Sequence, residues 1–193
     1  MQVDWGVELG ADDETLELPW ATGNAGPRYC DLKRHPDLLS HIDEANRFAE
    51  LAEFLKTVNS ATVFETAKCD VWSSTELSPE EKIFGASHKL GGYVDLLFTD
   101  EGLRFSFREH ERLVKKIAEL LRQVPEIPAS AEFLVRRCFY HSADRNDPRP
   151  GFYITHYLFG YGSDERQARR QWAIGMKLVE NALRQISARR QPT

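Results

Sequence analysis

The chain is poor in the residues that mark secreted or metal-binding proteins, and it contains no long hydrophobic run. Its 193 residues include only three cysteines, Cys30, Cys69 and Cys138, which lie far apart and form no CxxC or Cys/His ligand spacing. We therefore expect reduced thiols in a cytoplasmic protein, with neither a disulfide framework nor a metal site. No apolar run approaches the roughly 20 residues that a membrane-spanning helix needs.

Signals for export and for nucleic-acid binding are also lacking. The first residues, MQVDWGVELGADDE, have neither the basic nor the apolar region of a secretory signal. The net charge is −5, and residues 1–60 carry 12 acidic side chains against 5 basic ones. Because neutralising phosphates requires concentrated lysine and arginine, we expect no nucleic-acid partner, and we expect no membrane partner either.

What the chain does contain is typical of a folded domain. Hydrophobic residues make up 41% and charged residues 28% of the sequence. We predict an N-terminal arm or edge hairpin over residues 1–35, a single α+β domain over residues 36–188, and a frayed tail over residues 189–193.

Hydrophobic periodicity places the helices and strands of this domain. Apolar residues recur every three or four positions within 36–58, within 106–124 and from Asp164 onward, which predicts three amphipathic helices. Ser106 with Glu109, and Asp164 with Gln167, have the spacing of helix N-caps. A short helix is predicted to begin at 78–81, where Ser, Pro and Glu fit its first positions. Strands are predicted over 62–73, 93–99, 132–141 and 152–161.

Two strands followed by a helix therefore occur twice. The pairs Cys69 and Cys138, and Leu97 and Leu158, occupy equivalent places in the two copies, with one insertion between them. We predict an antiparallel sheet of four strands or slightly more, with helices on one face, in the order (β)-α-β-β-α-β-β-α and with a ββα pseudo-repeat. This order of elements is similar to that of small acidic secretion chaperones, which dimerise and bind unfolded client segments; the similarity implies no residue role.

Side-chain alternation assigns the strand residues to two faces. One face, with Cys69, Val94 and Tyr157, is predicted to lie under the helices. The opposite face is predicted to be uncovered, aromatic and charged. Its candidate ligand- or partner-binding residues are Asp70, Trp72, Asp95, Arg137, His141 and His156.

No motif in the chain fixes a chemistry, so several interpretations of this face remain open. Asp95 and His156 would form a structural cross-strand pair, contact a ligand, or act as a base or in a metal site. We predict a non-catalytic binding or assembly module that associates with protein or with itself, a homodimer being one such form, and that uses no cofactor. The alternative is a small-ligand-binding protein or an enzyme that uses Asp95, Arg137, His141 and His156.

Overall fold

A computed structural model describes residues 1–13, 15–20, 28–72, 75–78, 80, 83–141 and 147–190. It confirms the α+β class, but the predicted antiparallel sheet of four strands or slightly more is not matched, because the sheet is mixed and has seven strands among the described residues. The strands are β1 (Gln2–Glu8), β2 (Leu16–Leu18), β3 (Phe64–Val71), β4 (Thr75–Glu76), β5 (His88–Phe98), β6 (Ala129–Tyr140) and β7 (Arg149–Gly162). The helices are a 3₁₀ helix (Pro36–His41), α1 (Asp43–Arg47), α2 (Ala49–Ala61), α3 (Glu101–Arg104), α4 (Phe107–Leu121) and α5 (Glu165–Arg190).

The sheet has the strand order β1-β6-β7-β5-β3, and its central strands are antiparallel to their neighbours. The N-terminal strands β1 and β2 both pair with β6, in parallel, and they follow one another along its edge. They do not pair with each other as a hairpin would. The predicted ββα repeat therefore does not account for the whole sheet, since it includes β3, β5, β6 and β7 but not β1, β2 or β4.

Helices α4 and α5 begin where their capping residues predict. The Ser106 side chain accepts a hydrogen bond from the Glu109 amide, at 3.4 Å. The Asp164 carboxylate accepts one from the Gln167 amide, at 2.7 Å. Each cap satisfies an amide that has no partner inside its helix. The helix predicted to start at 78–81 falls partly on residues 79, 81 and 82, which lie outside the described residues.

The main core lies between one face of the sheet and the helices α2, α4 and α5. At its centre is Trp172 of α5, which is completely buried. Gly160 of β7 makes this packing possible, because a Cβ atom there would meet the backbone of α5 at Ala168 and Trp172. The long helix can therefore lie directly on the middle of the sheet.

Candidate functional site

The helices of the main core lie on one face of the sheet, and we call the opposite face, which α2, α4 and α5 do not cover, the helix-free face. Along β5 and β7, residues pair across the strands, so that Tyr93 lies beside Tyr157, and Asp95 beside Thr155. These side chains point away from the helices, whereas the intervening Val94 belongs to the main core.

Two smaller hydrophobic clusters cover the ends of the helix-free face. At one end, the residues of β2 and the segment after it pack on the sheet, in a cluster of Leu16, Leu18, Leu97, Cys138 and Tyr153. At the other end, residues near β4 pack on Tyr161 together with Leu77 and Ala86. The middle of the face lies between these clusters.

Four aromatic rings occupy this middle region, and we call them the aromatic platform: Trp72, Tyr93, Tyr157 and Phe159. The Trp72 indole stacks on Tyr157 and Phe159 with ring-centroid distances of 6.1 and 5.8 Å and interplanar angles of 17° and 20°. Tyr93 lies 5.9 Å from Tyr157 and 6.1 Å from Trp72. Offset stacking of this kind is favourable beyond simple burial. Trp72 nevertheless remains 38% exposed.

Gly91 explains how Trp72 of the β3 edge reaches across β5 to the rings of β7. A Cβ atom at Gly91 would lie 2.5 Å from the Phe159 ring and 2.9 Å from the Trp72 indole. Contacts this short do not occur between unbonded carbon atoms, so the two rings occupy the space that a larger residue would need. The glycine is therefore part of the platform.

Acidic side chains extend the platform on both sides. The residues Asp4, Glu132, Tyr157, Tyr93 and Asp70 form one continuous row across β1, β6, β7, β5 and β3. In this row the two tyrosines lie in the middle and the three carboxylates, which we call the acidic row, lie at the two ends. Asp4 and Glu132 are exposed, and Asp70 is half-buried.

A buried polar network lies next to the platform. Asp95 is 3% exposed and accepts a hydrogen bond from the Thr155 hydroxyl at 2.7 Å. Arg136 donates to Thr155 at 3.3 Å and to the Tyr157 hydroxyl at 3.2 Å, and it pairs with Glu8 at 2.6 Å. Because its groups bond to one another, this network holds Tyr157 in place and does not present a free catalytic group.

Three of the six predicted site residues lie together on the helix-free face. Asp70 pairs across strands with Tyr93, and Trp72 belongs to the platform. Asp95 lies one row further along β5, beside Thr155. His141 is at the end of this face, exposed and paired with Glu17 of β2.

The predicted placement of Arg137 and His156 on this face is wrong. His156 is fully buried beneath α2, stacked on Phe133 at 4.7 Å and 6.2 Å from Phe54. Arg137 pairs across strands with Phe152, which packs against α4, so its side chain points to the helix side. The structure therefore does not bring Asp95, Arg137, His141 and His156 together.

His156 lies between the rings of Phe133 and Phe54. Neither ring nitrogen has a hydrogen-bond partner within the described residues. Burial lowers the pKa of His156 to about 3, because the protonated ring has no solvent and no counter-charge. The imidazole is neutral at physiological pH and has no contact with Asp95, which lies on the other face of the sheet.

The prediction that Tyr157 lies under the helices is wrong, and sequence reasoning missed the part that Tyr157 and Phe159 play, although β7 carries a usable signal. Aromatic or polar side chains occupy the odd positions from 153 to 161. The even positions from 154 to 160 carry isoleucine, histidine, leucine and glycine. The alternation of bulky rings with smaller side chains separates the platform face from the helix face. Gly160, at the point where α5 lies closest, belongs to the second set.

A second cluster of ionisable side chains surrounds Glu65, in a groove of about 480 Å³. Arg104 of α3 donates to this carboxylate at 2.9 Å, and the Tyr29 hydroxyl lies 3.5 Å from it. Burial raises the pKa of Glu65. Lys33 donates to three backbone carbonyls, of Asn59, Thr62 and Phe64. These contacts fasten the N-terminal segment to β3, which is a structural role.

A groove of about 530 Å³, which we call the β3 groove, lies beside the platform. It is bounded by β3, by the side chains of Trp20 and Tyr29, and by the 3₁₀ helix and α1. Asp70 and Tyr93 belong both to its wall and to the row described above. The groove therefore opens at the end of the platform.

The described residues contain no group of three or more His, Cys, Asp or Glu side chains that could hold a metal ion. Among the helices that the structure describes, none is long and apolar enough to cross a bilayer.

No family model, curated protein or solved structure matches this chain. The functional conclusion therefore depends on the geometry of its own surface.

Proposed function

We propose that this chain is a non-catalytic binding module that docks a segment of another protein on the aromatic platform. The observation that carries the proposal is the stack of four rings on the helix-free face, with Trp72 38% exposed. Exposed, clustered aromatic residues on a soluble domain mark interaction surfaces, and Trp and Tyr dominate the binding energy of such surfaces.

The shape of the site supports a polypeptide partner over a small molecule. The rings come from three neighbouring strands, and Trp72, Tyr157 and Phe159 line none of five grooves of about 410 to 780 Å³ that the described residues form. Small ligands bind mainly in concave pockets, whereas protein interfaces have an aromatic centre and a polar rim. Here Asp4, Glu132 and the Arg136 network supply that rim.

Self-association through the same surface is less favourable than docking of a different protein. If two copies paired face to face, the exposed carboxylates Asp4 and Glu132 of one copy would approach those of the other. Juxtaposed like charges oppose such a pairing.

We place this activity in the cytoplasm. Cys30, Cys69 and Cys138 are free thiols. Cys69 and Cys138 are packed against hydrophobic clusters, where they act as small apolar side chains. A reducing compartment suits such residues.

Two variants, each of which replaces a similarly exposed hydrophobic side chain by serine, test the proposal. Trp72→Ser removes the exposed ring of the platform, and Ile174→Ser removes a side chain that is similarly exposed, at 37%, on α5. Proteins captured by immobilised wild-type chain are compared with those captured by each variant, and sedimentation velocity measures self-association over a roughly hundredfold concentration range. We expect Trp72→Ser alone to abolish capture of other proteins, whereas self-association should not depend on Trp72. Capture that survives Trp72→Ser unchanged would refute the proposal.

A further inference from the structure

The β3 groove combines aromatic rings with an excess of negative charge. Trp20, Tyr29 and Tyr93 supply the rings, and Asp43, Glu44 and Asp70 supply three carboxylates. Arg28 is the one guanidinium among the described residues that line the groove. This is the environment that a lysine ammonium or an arginine guanidinium prefers, because ring faces and carboxylates both attract cations.

The electrostatic field inside the groove is negative as well. Cys69 belongs to its wall, and after burial the strongest influences on this thiol are the charges of Glu44, Asp95 and Asp70. Burial and these carboxylates together raise the pKa of Cys69 to about 12. Three carboxylates from α1, β5 and β3 thus act on one point of the wall, which stabilises an incoming positive charge there.

Cations of the chain itself already contact aromatic rings on the helix-free face. The Lys68 ammonium lies 5.5 Å from the centroid of the Trp20 ring, and Lys89 lies 5.6 Å from that of Phe159. The Arg136 guanidinium lies 5.6 Å from the Tyr157 ring. All three distances are within the range of cation–π attraction. Three rings of this face therefore each already hold a cation of the chain itself, which shows that their faces suit positive groups.

Together with the proposed function, on which this inference depends, these features define the chemistry of the partner. We infer that the docked segment is basic, and that one of its lysine or arginine side chains enters the β3 groove between Tyr93 and the carboxylates of Glu44 and Asp70. The rest of the segment crosses the platform along the acidic row, toward Glu132 and Asp4. Acidic partner segments and a second copy of this chain lack the complementary charge for that path.

Peptides of defined charge provide the probes. A fluorescein-labelled peptide of alternating lysine and serine and its glutamate–serine counterpart are titrated with the full-length chain by fluorescence anisotropy. The test variant is Glu44→Gln with Asp70→Asn. Asn at position 70 keeps the oxygen that accepts the Val71 amide at 2.7 Å, so the strand end is preserved. The control variant, Glu53→Gln with Glu165→Gln, removes two carboxylates from helices on the opposite side.

We expect the lysine peptide to bind the wild type and the control alike, and to bind the test variant roughly tenfold more weakly. Tyr93→Leu should also weaken binding, and added salt should weaken it in all binding variants. The glutamate peptide should not bind. Circular dichroism confirms that each variant is folded.

The inference is overturned if the lysine peptide fails to bind the wild type, binds the test and control variants equally, or is matched by the glutamate peptide. These results do not bear on the Trp72→Ser comparison with captured proteins. If Trp72→Ser abolishes capture while Glu44→Gln with Asp70→Asn leaves lysine-peptide binding unchanged, the platform is a docking surface but its partner is not basic. If Trp72→Ser leaves capture intact, the docking function itself is wrong.

Discussion

Replacing the buried His156 by leucine should stabilise the protein, and the gain should grow as the pH falls. Leucine has nearly the volume of histidine, so the core between Phe133 and Phe54 needs little rearrangement. The substitution removes two ring nitrogens that have no partner within the described residues. Unlike most core substitutions, this one removes a polar group and introduces none.

The magnitude follows from two separate effects. At pH 8 the imidazole is neutral, and a buried polar group without a hydrogen bond costs about 1–3 kcal/mol. Allowing for imperfect packing of leucine, we expect a net gain of about 1 kcal/mol, which corresponds to an increase in Tm of about 2–4 °C for a chain of this size.

The second effect depends on pH. Burial lowers the pKa of His156 from 6.5 to about 3 in the folded protein. Between these two values the unfolded chain takes up more protons than the folded one, so the free energy of unfolding falls as the pH falls. For this one residue the fall between pH 8 and pH 5 is about 2 kcal/mol. The advantage of His156→Leu over the wild type should therefore reach about 3 kcal/mol at pH 5.

Urea unfolding at pH 8 and pH 5, followed by circular dichroism, measures both effects. Phe133→Leu is the control, because it changes the same part of the core without removing a titratable group; its cost should be the same at both pH values. His110, whose pKa burial also lowers, contributes a further acid sensitivity that remains in all three proteins. If His156→Leu and wild type lose equal stability between pH 8 and pH 5, the buried, neutral state assigned to His156 is wrong.

Three further substitutions test the packing that positions the site. Gly91→Ala should displace Trp72, cost about 1–3 kcal/mol in urea unfolding and alter the near-ultraviolet circular dichroism of the stacked rings. Arg104→Leu leaves the buried carboxylate of Glu65 without its ion pair; the loss should be about 2–3 kcal/mol at pH 8 and should become smaller as the pH falls, because burial raises the pKa of Glu65 and protonation removes the unpaired charge. Gly160→Ala should cost more than about 3 kcal/mol or prevent folding, as thermal unfolding would show, because a Cβ there overlaps the backbone of α5.

Local signals predicted α4 and α5 well, because their causes are local. The single helix predicted over 36–58 is instead divided into the 3₁₀ helix, α1 and α2, because the backbone is extended at Ile42 and Phe48. The Ser106 and Asp164 caps are formed by residues three positions apart in sequence, and the apolar stripes of α4 and α5 are read within a few turns. The α+β class follows from the same information. The N-terminal strands were harder to predict, since β1 and β2 acquire their partner only through β6, more than 100 residues further along the chain.

The faces of the strands could be predicted only where one side is clearly apolar. In β5, Val94 and Asp95 differ so much in polarity that the alternation predicted both correctly. In β7, His156 is polar but buried, and Tyr157 is aromatic but half-exposed, so residue type alone misleads.

An irregularity in β3 is a second reason why alternation along the sequence does not assign every strand residue to the correct face. The register between β3 and β5 shifts between Thr66 and Cys69. Phe64 and Cys69 therefore both face the helices, although strict alternation would place them on opposite sides. Asp70 and Trp72 reach the helix-free face only because of this shift. A strict period of two would instead place Phe64 and Trp72 on the same face, because they are eight residues apart.

The affinity of one captured protein for three versions of this chain tests the central claim most directly. Isothermal titration with wild type, Trp72→Ser and Ile174→Ser gives the three dissociation constants under one set of conditions. If the platform is the docking surface, losing its exposed ring should cost at least about 2 kcal/mol, which is roughly a thirtyfold weaker Kd, whereas Ile174→Ser should bind like wild type. Equal dissociation constants for wild type and Trp72→Ser would contradict the account.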